Sequence, residues 1–338
     1  MTAMMVFVLL GVAVAAYALT AGADFGSGVW DLLAFGPRRA RQRELIAEAI
    51  APIWEVNHIW MIFIVVVLFT VFPDGFAVVM TALHVPLLLV LLGIVLRGSA
   101  FVFRAYGMQP NAVRERWGRV FAWASAITPV FLGMSLGALS SGDIRVSFDA
   151  RGGAHPTTGF FAGWTSGFAV VVGLFTLALF VMLAAVYLAQ EAEHLGELEL
   201  ATDFRRRALA TEALAFLVAL LVLWRASVEC PGLYYDLLHA RWSIAAQLLT
   251  ALVAGAAIWA LIADHLQLAR VFVTIQIGLI VLGWGLAMNG FLIRPDLHVA
   301  DAGAEAAVLA SLPWVLLGGS VLLVPALIGL FRLFGKLD

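Results

Sequence analysis

Three side chains that can exchange protons lie in two apolar stretches near the start of the chain. Asp24 follows the run MTAMMVFVLLGVAVAAYALTAGA, and Glu55 and His58 lie within APIWEVNHIW. Glu55 and His58 are three residues apart, so they share one face of a helix. Carboxyl and imidazole groups can exchange protons near neutral pH in a suitable environment, and ionisable groups on membrane helices usually face a bundle interior or a water path. The spacing predicts a proton path through Asp24, Glu55 and His58; the alternative is that Glu55 pairs with a loop arginine and that His58 is a hydrogen-bonded core residue.

Further side chains around this cluster have packing or contact roles in our interpretation. Trp54 and Trp60 flank the polar residues and are expected to pack in a helix bundle or to line a path. In the next apolar segment, Arg97, Phe101 and Arg104 are spaced by four and three residues, so they form one stripe on a helix. This stripe would contact lipid phosphates or anchor a partner subunit. The residues expected to make structural or partner contacts are Asn57, Arg97, Phe101 and Arg104.

Histidine placement argues against haem or metal binding by this chain. His58 and His84 are the two histidines expected inside apolar segments, and their expected depths differ by roughly 8 Å in a hydrocarbon core of about 30 Å. Axial ligands of one haem should lie nearly level, so this pair does not suit a haem. The single cysteine, Cys230, excludes an intrachain disulfide and a Cys-x-x-Cys motif. Walker, His-Glu-x-x-His and Ser-His-Asp signatures are also absent, so no catalytic residue and no metal ligand is predicted in this chain.

The composition places these residues in a membrane protein. The chain of 338 residues is 63% hydrophobic and 12% charged, whereas soluble domains are about 45–50% apolar and about 25% charged. So much apolar surface cannot be buried inside a chain of this size, so the surrounding solvent must be lipid. The net charge of −2 argues against binding to nucleic acid.

Nine segments are long and apolar enough to cross a bilayer, which needs about 20 residues. They are Met4–Ala23, Ala51–Phe72, Val78–Val95, Arg119–Leu139, Gly159–Ala189, Ala208–Ser227, Trp242–Ala263, Val271–Leu292 and Ala307–Phe334. With nine crossings, 15 of the 20 basic residues fall on one side. The positive-inside rule then places the N-terminus outside and the C-terminus in the cytoplasm.

The predicted fold is an all-α integral membrane protein with two four-helix bundles and one extra helix. The first bundle covers residues 1–142, the second 143–293, and the ninth helix with the C-terminal tail 294–338. The two bundles are predicted to be related repeats, because both halves show the same order of apolar segment, arginine-rich loop and helix. Glu48 and Glu212 occupy similar places in this order. The N-terminal segment lacks a basic n-region and an Ala-x-Ala cleavage site, so it is predicted to be a retained membrane helix.

Four motifs resemble those of a known family. They are ADFGSGVWDLL at Ala23–Leu33, APIWEVNHIW at Ala51–Trp60, VPLLLVLLGIVLRGSAFVFR at Val85–Arg104 and WASAITPVFLGMSLGAL at Trp123–Leu139. With these motifs the chain resembles subunit II of the cytochrome bd quinol oxidases, including their cyanide-insensitive branch. The likeness covers most of the chain and is most specific in its first 140 residues.

The resemblance implies a multi-pass subunit of the bacterial cytoplasmic membrane. Haem b and haem d, with their ligands, would belong to a partner subunit I, and this chain would support its assembly. The complex would oxidise quinol at the outer face and reduce oxygen to water with protons from the cytoplasm. A small single-helix subunit, and a structural quinone or lipid, are compatible with the family pattern.

The family's residue roles can be carried over at four positions, and a fifth position departs from the family. Asp24 matches the acidic position of the Asp-x-Gly-x-Gly stretch, and Glu55 matches a carboxylate proposed to line a proton path. Trp60 matches a tryptophan near a proposed oxygen route, and Arg97 the arginine of the Arg-Gly-x-Ala-Phe motif. His58 stands where many members have glutamate, so an imidazole would have to replace a carboxyl group in the path.

Two other functions remain as alternatives. A stand-alone proton-coupled secondary transporter would share the repeat and the membrane-embedded ionisable groups, but transporters usually show Gly- or Pro-broken helices at mid-membrane, and such breaks are few here. An independent di-haem cytochrome is disfavoured by the histidine depths. Copurification with a haem-bearing membrane protein separates these functions.

Overall fold

The computed structural model describes residues 1–50, 54–106, 111–150, 152–302 and 305–334. This part of the chain is mainly helical, with two short β-hairpins. The helices are α1 (Ala3–Leu32), α2 (Arg39–Ile50), α3 (Trp54–Val71), α4 (Pro73–Ala82), α5 (His84–Tyr106), α6 (Asn111–Ser141), α7 (Gly167–His194), α8 (Leu198–Glu229), α9 (Pro231–His239), α10 (Ser243–Ile262), α11 (Leu266–Ala287) and α12 (Ala306–Phe334). The antiparallel hairpins are β1 (Val146–Phe148) with β2 (Ala154–Pro156), and β3 (Phe291–Ile293) with β4 (Leu297–His298).

The expected membrane architecture is confirmed. Among the described residues, eight helices are long and apolar enough to cross a bilayer. The bent pair α3 and α4, whose axes differ by 120°, is a ninth candidate if it is counted as one span. Which side of the membrane each terminus occupies, and the division into two bundles, stay predictions.

The third predicted segment, Val78–Val95, has the wrong boundaries. The chain does turn after α3, at the buried residue Phe72, but the next ten residues form the separate helix α4. Pro73 begins α4, because proline suits the first turn of a helix, where its missing N–H would have no partner. The next long helix, α5, therefore starts only at His84 and extends to Tyr106.

The first predicted segment, Met4–Ala23, ends too early. Helix α1 continues to Leu32, so Asp24 lies inside the helix, about 12 Å before its end at 1.5 Å per residue. The fifth segment was predicted from Gly159, but Ser166 caps α7 by accepting a hydrogen bond from the Ala169 N–H, so that helix begins at Gly167. The eighth was predicted to Leu292, but α11 ends at Ala287 and a strand follows.

Helix α1 packs against several other long helices. It contacts α3, α6, α7 and α11, and α7 in turn contacts α6 and α8. The indole N–H of Trp30 donates a hydrogen bond of 2.9 Å to the Val181 carbonyl of α7, and both residues belong to the main hydrophobic cluster. The last two turns of α1 are thus buried on nearly every side, which is unusual for a membrane helix end and sets the location of the site below.

Ion pairs join the beginning of the short helix α2, and the residue before it, to the start of α8. Arg38 binds Glu199 at 2.8 Å and Asp203 at 2.7 Å, and Arg41 binds Glu197. At another surface, the two hairpins are linked because Asp296 accepts hydrogen bonds from the Arg145 side chain and from the Val146 N–H. These polar contacts lie outside the apolar parts of the bundle.

Candidate functional site

Two glycines let α1 approach its neighbours closely. A Cβ atom at Gly26 would overlap the Phe180 carbonyl oxygen of α7, and one at Gly28 would overlap the Ser125 hydroxyl of α6. The spacing Asp24-x-Gly-x-Gly therefore places a carboxylate on a helix that approaches the backbone of α7 and the Ser125 side chain of α6 very closely. Burial of that carboxylate is a direct result of this close packing.

Asp24 forms a buried ion pair with Arg97 of α5. Arg97 Nη1 donates to Asp24 Oδ2 at 2.7 Å, and Nη2 donates both to Oδ1 and, at 3.1 Å, to the Asp24 backbone carbonyl. The exposed fractions are 1% for Asp24 and 5% for Arg97. The guanidinium fork thus binds the carboxylate through both oxygens, which is the strongest geometry for such a pair.

Residues from two more helices complete the cluster. Asn57 Nδ2 of α3 donates to Asp24 Oδ2 at 2.7 Å, and Arg97 Nε donates to Ser125 Oγ of α6 at 2.9 Å. The Arg97 guanidinium also lies over two aromatic rings, 4.9 Å from the centre of Phe25 and 4.6 Å from that of Phe121. Four helices therefore contribute to one polar site, and the aromatic faces add cation–π stabilisation.

The geometry gives each charge a fixed role. A bidentate guanidinium and an amide N–H bind the buried Asp24 carboxylate, so two opposite charges face each other inside the bundle. The pair is therefore suited to hold four helices in register and to supply a fixed electric field.

A small cavity adjoins the ion pair. It has room for roughly one or two water molecules, and its lining residues are Tyr17, Asp24, Phe25, Asn57, His58, Met61, Ile94, Arg97 and Gly98. Within the described part of the chain, Asn57 Oδ1 is a buried acceptor with no hydrogen-bond partner. A water in the cavity would supply the missing donor, because buried waters typically satisfy such groups.

The structure brings several of the predicted residues to this site. Asp24, Asn57 and Arg97 form its polar centre, and His58 lines the cavity. Trp60 packs against the neighbouring hydrophobic cluster of Tyr17, Ala21, Phe25 and Phe180.

The other predicted residues lie at its margins. Phe101, one turn beyond Arg97 on α5, packs against the main core. The backbones of Trp54 and Glu55 begin α3, and that of Arg104 lies near the end of α5. The side chains of these three lie outside the described residues, so their predicted roles stay predictions.

Ser125 and Tyr17 are site residues that the sequence reasoning did not single out. Ser125 lies in the WASAITP run, where its hydroxyl accepts from Arg97 and donates to the Phe121 carbonyl at 2.7 Å. Tyr17 precedes Asp24 by seven residues, a spacing that places both on one face of α1. The sequence could have indicated Tyr17 through this spacing. The approach of Ser125 to Arg97 could not be predicted in the same way, because it depends on how α5 packs on α6.

Fold and site together define a class of protein: a multi-span helical membrane protein whose polar centre lies within the bundle. A family model described as cytochrome bd terminal oxidase subunit II matches residues 2–334. The chain belongs to this family, and it is a multi-pass protein of the bacterial cytoplasmic membrane.

Similar proteins carry matching descriptions. A Bacillus subtilis (strain 168) protein assigned as subunit II of a cytochrome bd menaquinol oxidase is 25% identical over 94% of this chain and 91% of its own length. Subunit 2 of the cytochrome bd-I ubiquinol oxidase of Escherichia coli (strain K12) is 28% identical over 63% of this chain and 53% of its own length. A chain in the structure of the bd oxidase from Geobacillus thermodenitrificans has the same fold, with a TM-score of 0.79 at 22% identity and 99% coverage of both chains.

Proposed function

We propose that this chain is the haem-free subunit II of a quinol:oxygen oxidoreductase. In this proposal it packs against a subunit I that carries haem b and haem d, and it supports the assembly of that subunit. Family membership over nearly the whole chain supports this assignment, and the named relatives are subunits of menaquinol and ubiquinol oxidases. Electrons would pass from quinol to oxygen within subunit I, so no catalytic group is assigned to this chain.

The surroundings of His58 and His84 support the proposal that this chain ligates no haem. The cavity beside His58 has room for water molecules but not for a porphyrin. His84 begins α5, and its Nδ1 lies 2.9 Å from the Thr81 carbonyl oxygen while its ring contacts Phe160 edge-on. His58 is 13 residues, or about 20 Å, before the Val71 end of α3, where the chain turns towards α5. The two imidazoles are therefore not arranged as axial ligands of one group.

We also propose that the cavity beside Asp24 forms part of a proton path through this chain. Its observed lining supports water, because Asn57 Oδ1 needs a donor and the neighbouring side chains of His58, Tyr17 and Asp24 are polar. His58 would be the group that accepts and passes a proton, with Glu55 as the preceding carboxyl group on the same helix face. Asp24 would act as a fixed anion that orients the water, since Arg97 binds both of its oxygens.

Copurification tests the main assignment. A tagged chain purified from its native membrane in mild detergent is expected to bring a second membrane protein with haem absorbance. A chain that purifies alone, colourless and stable would contradict the assignment and favour the transporter alternative.

Substitution of His58 by leucine tests the proton path. His58→Leu is expected to lower oxygen consumption per haem at unchanged haem content, because the cavity would lose its imidazole group. As a control, Met61→Leu changes another lining residue without removing a polar group and should leave turnover near that of the original protein. Equal turnover in His58→Leu would exclude this residue from the path.

A further inference from the structure

A second buried carboxyl group lies far along the chain from the Asp24 site. Glu212 of α8 is 4% exposed and Gln276 of α11 is 6% exposed. Gln276 Nε2 donates a hydrogen bond of 2.7 Å to Glu212 Oε1. The pair joins two long apolar helices and takes no part in the cluster around Arg97.

This pair lies near the middle of the membrane. Gln276 is ten residues from the start of α11 and eleven from its end, or about 15 Å from either end. The hydrocarbon core of a bilayer is about 30 Å thick. Glu212 is therefore held at the depth where an ionised carboxylate without a counter-ion is most costly.

Two acceptor atoms of the pair lack a donor within the described part of the chain. Glu212 Oε2 and Gln276 Oε1 are both buried, and neither has a hydrogen-bond partner among those residues. Among the residues that the structure describes, no arginine, lysine or histidine forms an ion pair with Glu212. Asp24 differs in this respect, because Arg97 balances its charge directly.

One proton would satisfy both atoms. An ionised carboxylate can only accept hydrogen bonds, but a carboxylic acid also has one O–H donor. The Gln276 amide donates one N–H to Glu212 Oε1. The carbonyl oxygen of Gln276 is part of the same planar amide group, and that group faces Glu212. A hydroxyl at Oε2 that donates to Gln276 Oε1 closes a two-hydrogen-bond ring between the acid and the amide.

We propose that Glu212 and Gln276 form a proton-binding site at mid-membrane, in which Glu212 is a neutral carboxylic acid paired to the amide through two hydrogen bonds. The bound ligand is a single proton on Oε2. The ring joins α8 to α11 without placing a net charge in the hydrocarbon. Glu48, which the sequence pattern matched to Glu212, is exposed on α2 beside Arg41, so the proposed site has no counterpart at that position of the first half.

Infrared spectroscopy of the membrane-purified protein, with its copurifying subunits, tests this site. The carbonyl stretch of a protonated carboxylic acid is expected at neutral and mildly alkaline pH, and it should disappear in Glu212→Gln. Glu193→Gln, at an exposed position near the end of α7, is the control: it should reduce the carboxylate bands and leave the acid band intact. A Glu212→Gln spectrum that loses carboxylate absorbance and keeps every acid band would overturn the proposal.

A second variant tests the hydrogen bond to Gln276 while Glu212 is still present. Gln276→Leu removes the N–H that binds Oε1, so the acid band should move to higher frequency; an unmoved band contradicts the ring.

Stability measurements give an independent readout. Glu212→Gln can form the same ring with Gln276 and should change the folded-to-unfolded ratio by less than about twofold. Glu212→Leu leaves the buried amide of Gln276 without a partner and should lower that ratio roughly threefold to twentyfold. Equal losses in the two variants would refute the role of hydrogen bonding at this pair.

Discussion

Replacement of Asp24 by asparagine is the most direct test of the buried ion pair. The variant keeps the shape of the side chain and one acceptor oxygen, and it removes the negative charge. Arg97 loses a charge-assisted bond and keeps a full positive charge at 5% exposure. The other acceptors around Arg97, the Asp24 carbonyl and Ser125 Oγ, are neutral and cannot balance this charge.

The size of the effect follows from the burial of both partners. Removal of one member of a buried ion pair costs about 3–5 kcal/mol, because the remaining charge is uncompensated. A loss of this size changes the folded-to-unfolded ratio by roughly 10²- to 4 × 10³-fold. The Arg38–Asp203 pair provides the matched control: Arg38 is 43% exposed, so Asp203→Asn should be far less destabilising.

The assay is the thermal stability and yield of the detergent-purified protein. Asp24→Asn should lower both far more than Asp203→Asn, and Arg97→Ala should impair assembly and haem content more than turnover per haem. The double variant Asp24→Asn/Arg97→Gln removes both charges and should be more stable than Asp24→Asn alone. The reasoning fails if Asp24→Asn is no more destabilising than Asp203→Asn, or if the double variant shows no recovery.

Three more predictions concern the proton path, the helix contact and the two hairpins. Glu55→Ala should slow oxygen consumption and leave subunit association intact; unchanged turnover in a fully haem-loaded complex would remove this residue from the path. Gly26→Ala should reduce the yield of folded protein strongly, because its Cβ would overlap a backbone carbonyl of α7, whereas Gly11→Ala, with open space around it, should be tolerated; similar yields would contradict the close approach. The hydrogen bond from Arg145 to Asp296 holds the pKa of that carboxyl below its usual value, aided by the Val146 N–H. Because the folded-state pKa is the lower one, this contribution to stability is complete above about pH 4 and disappears as the pH falls through the folded value. The melting temperatures of the original protein and Asp296→Asn should therefore converge at low pH, and a constant difference would contradict the assignment.

The amino-acid sequence alone determined the membrane class and the main polar residues. Long apolar runs specify membrane helices because unpaired backbone groups are too costly in hydrocarbon, so the number of crossings could be predicted from hydropathy. Asp24, Asn57, His58 and Arg97 stood out because polar groups on apolar helices are rare and costly. Helix ends were less predictable: α1 continues past Asp24 because its last turns are buried among other helices, which hydropathy along one segment does not show.

The tertiary structure decided which of these residues meet. The stripe of Arg97, Phe101 and Arg104 indicated lipid or partner contact, yet the Arg97 side chain is directed into the bundle, where Asp24 and Ser125 bind it. This choice depends on residues distant in sequence, because Gly26 and Gly28 bring α1 against α7 and α6 and leave a polar space that a guanidinium fills. The pairing of Glu212 with Gln276 likewise arises only where α8 and α11 come together. Periodicity along one helix specifies its faces, but the partners of a buried charge are set by the packing of several helices.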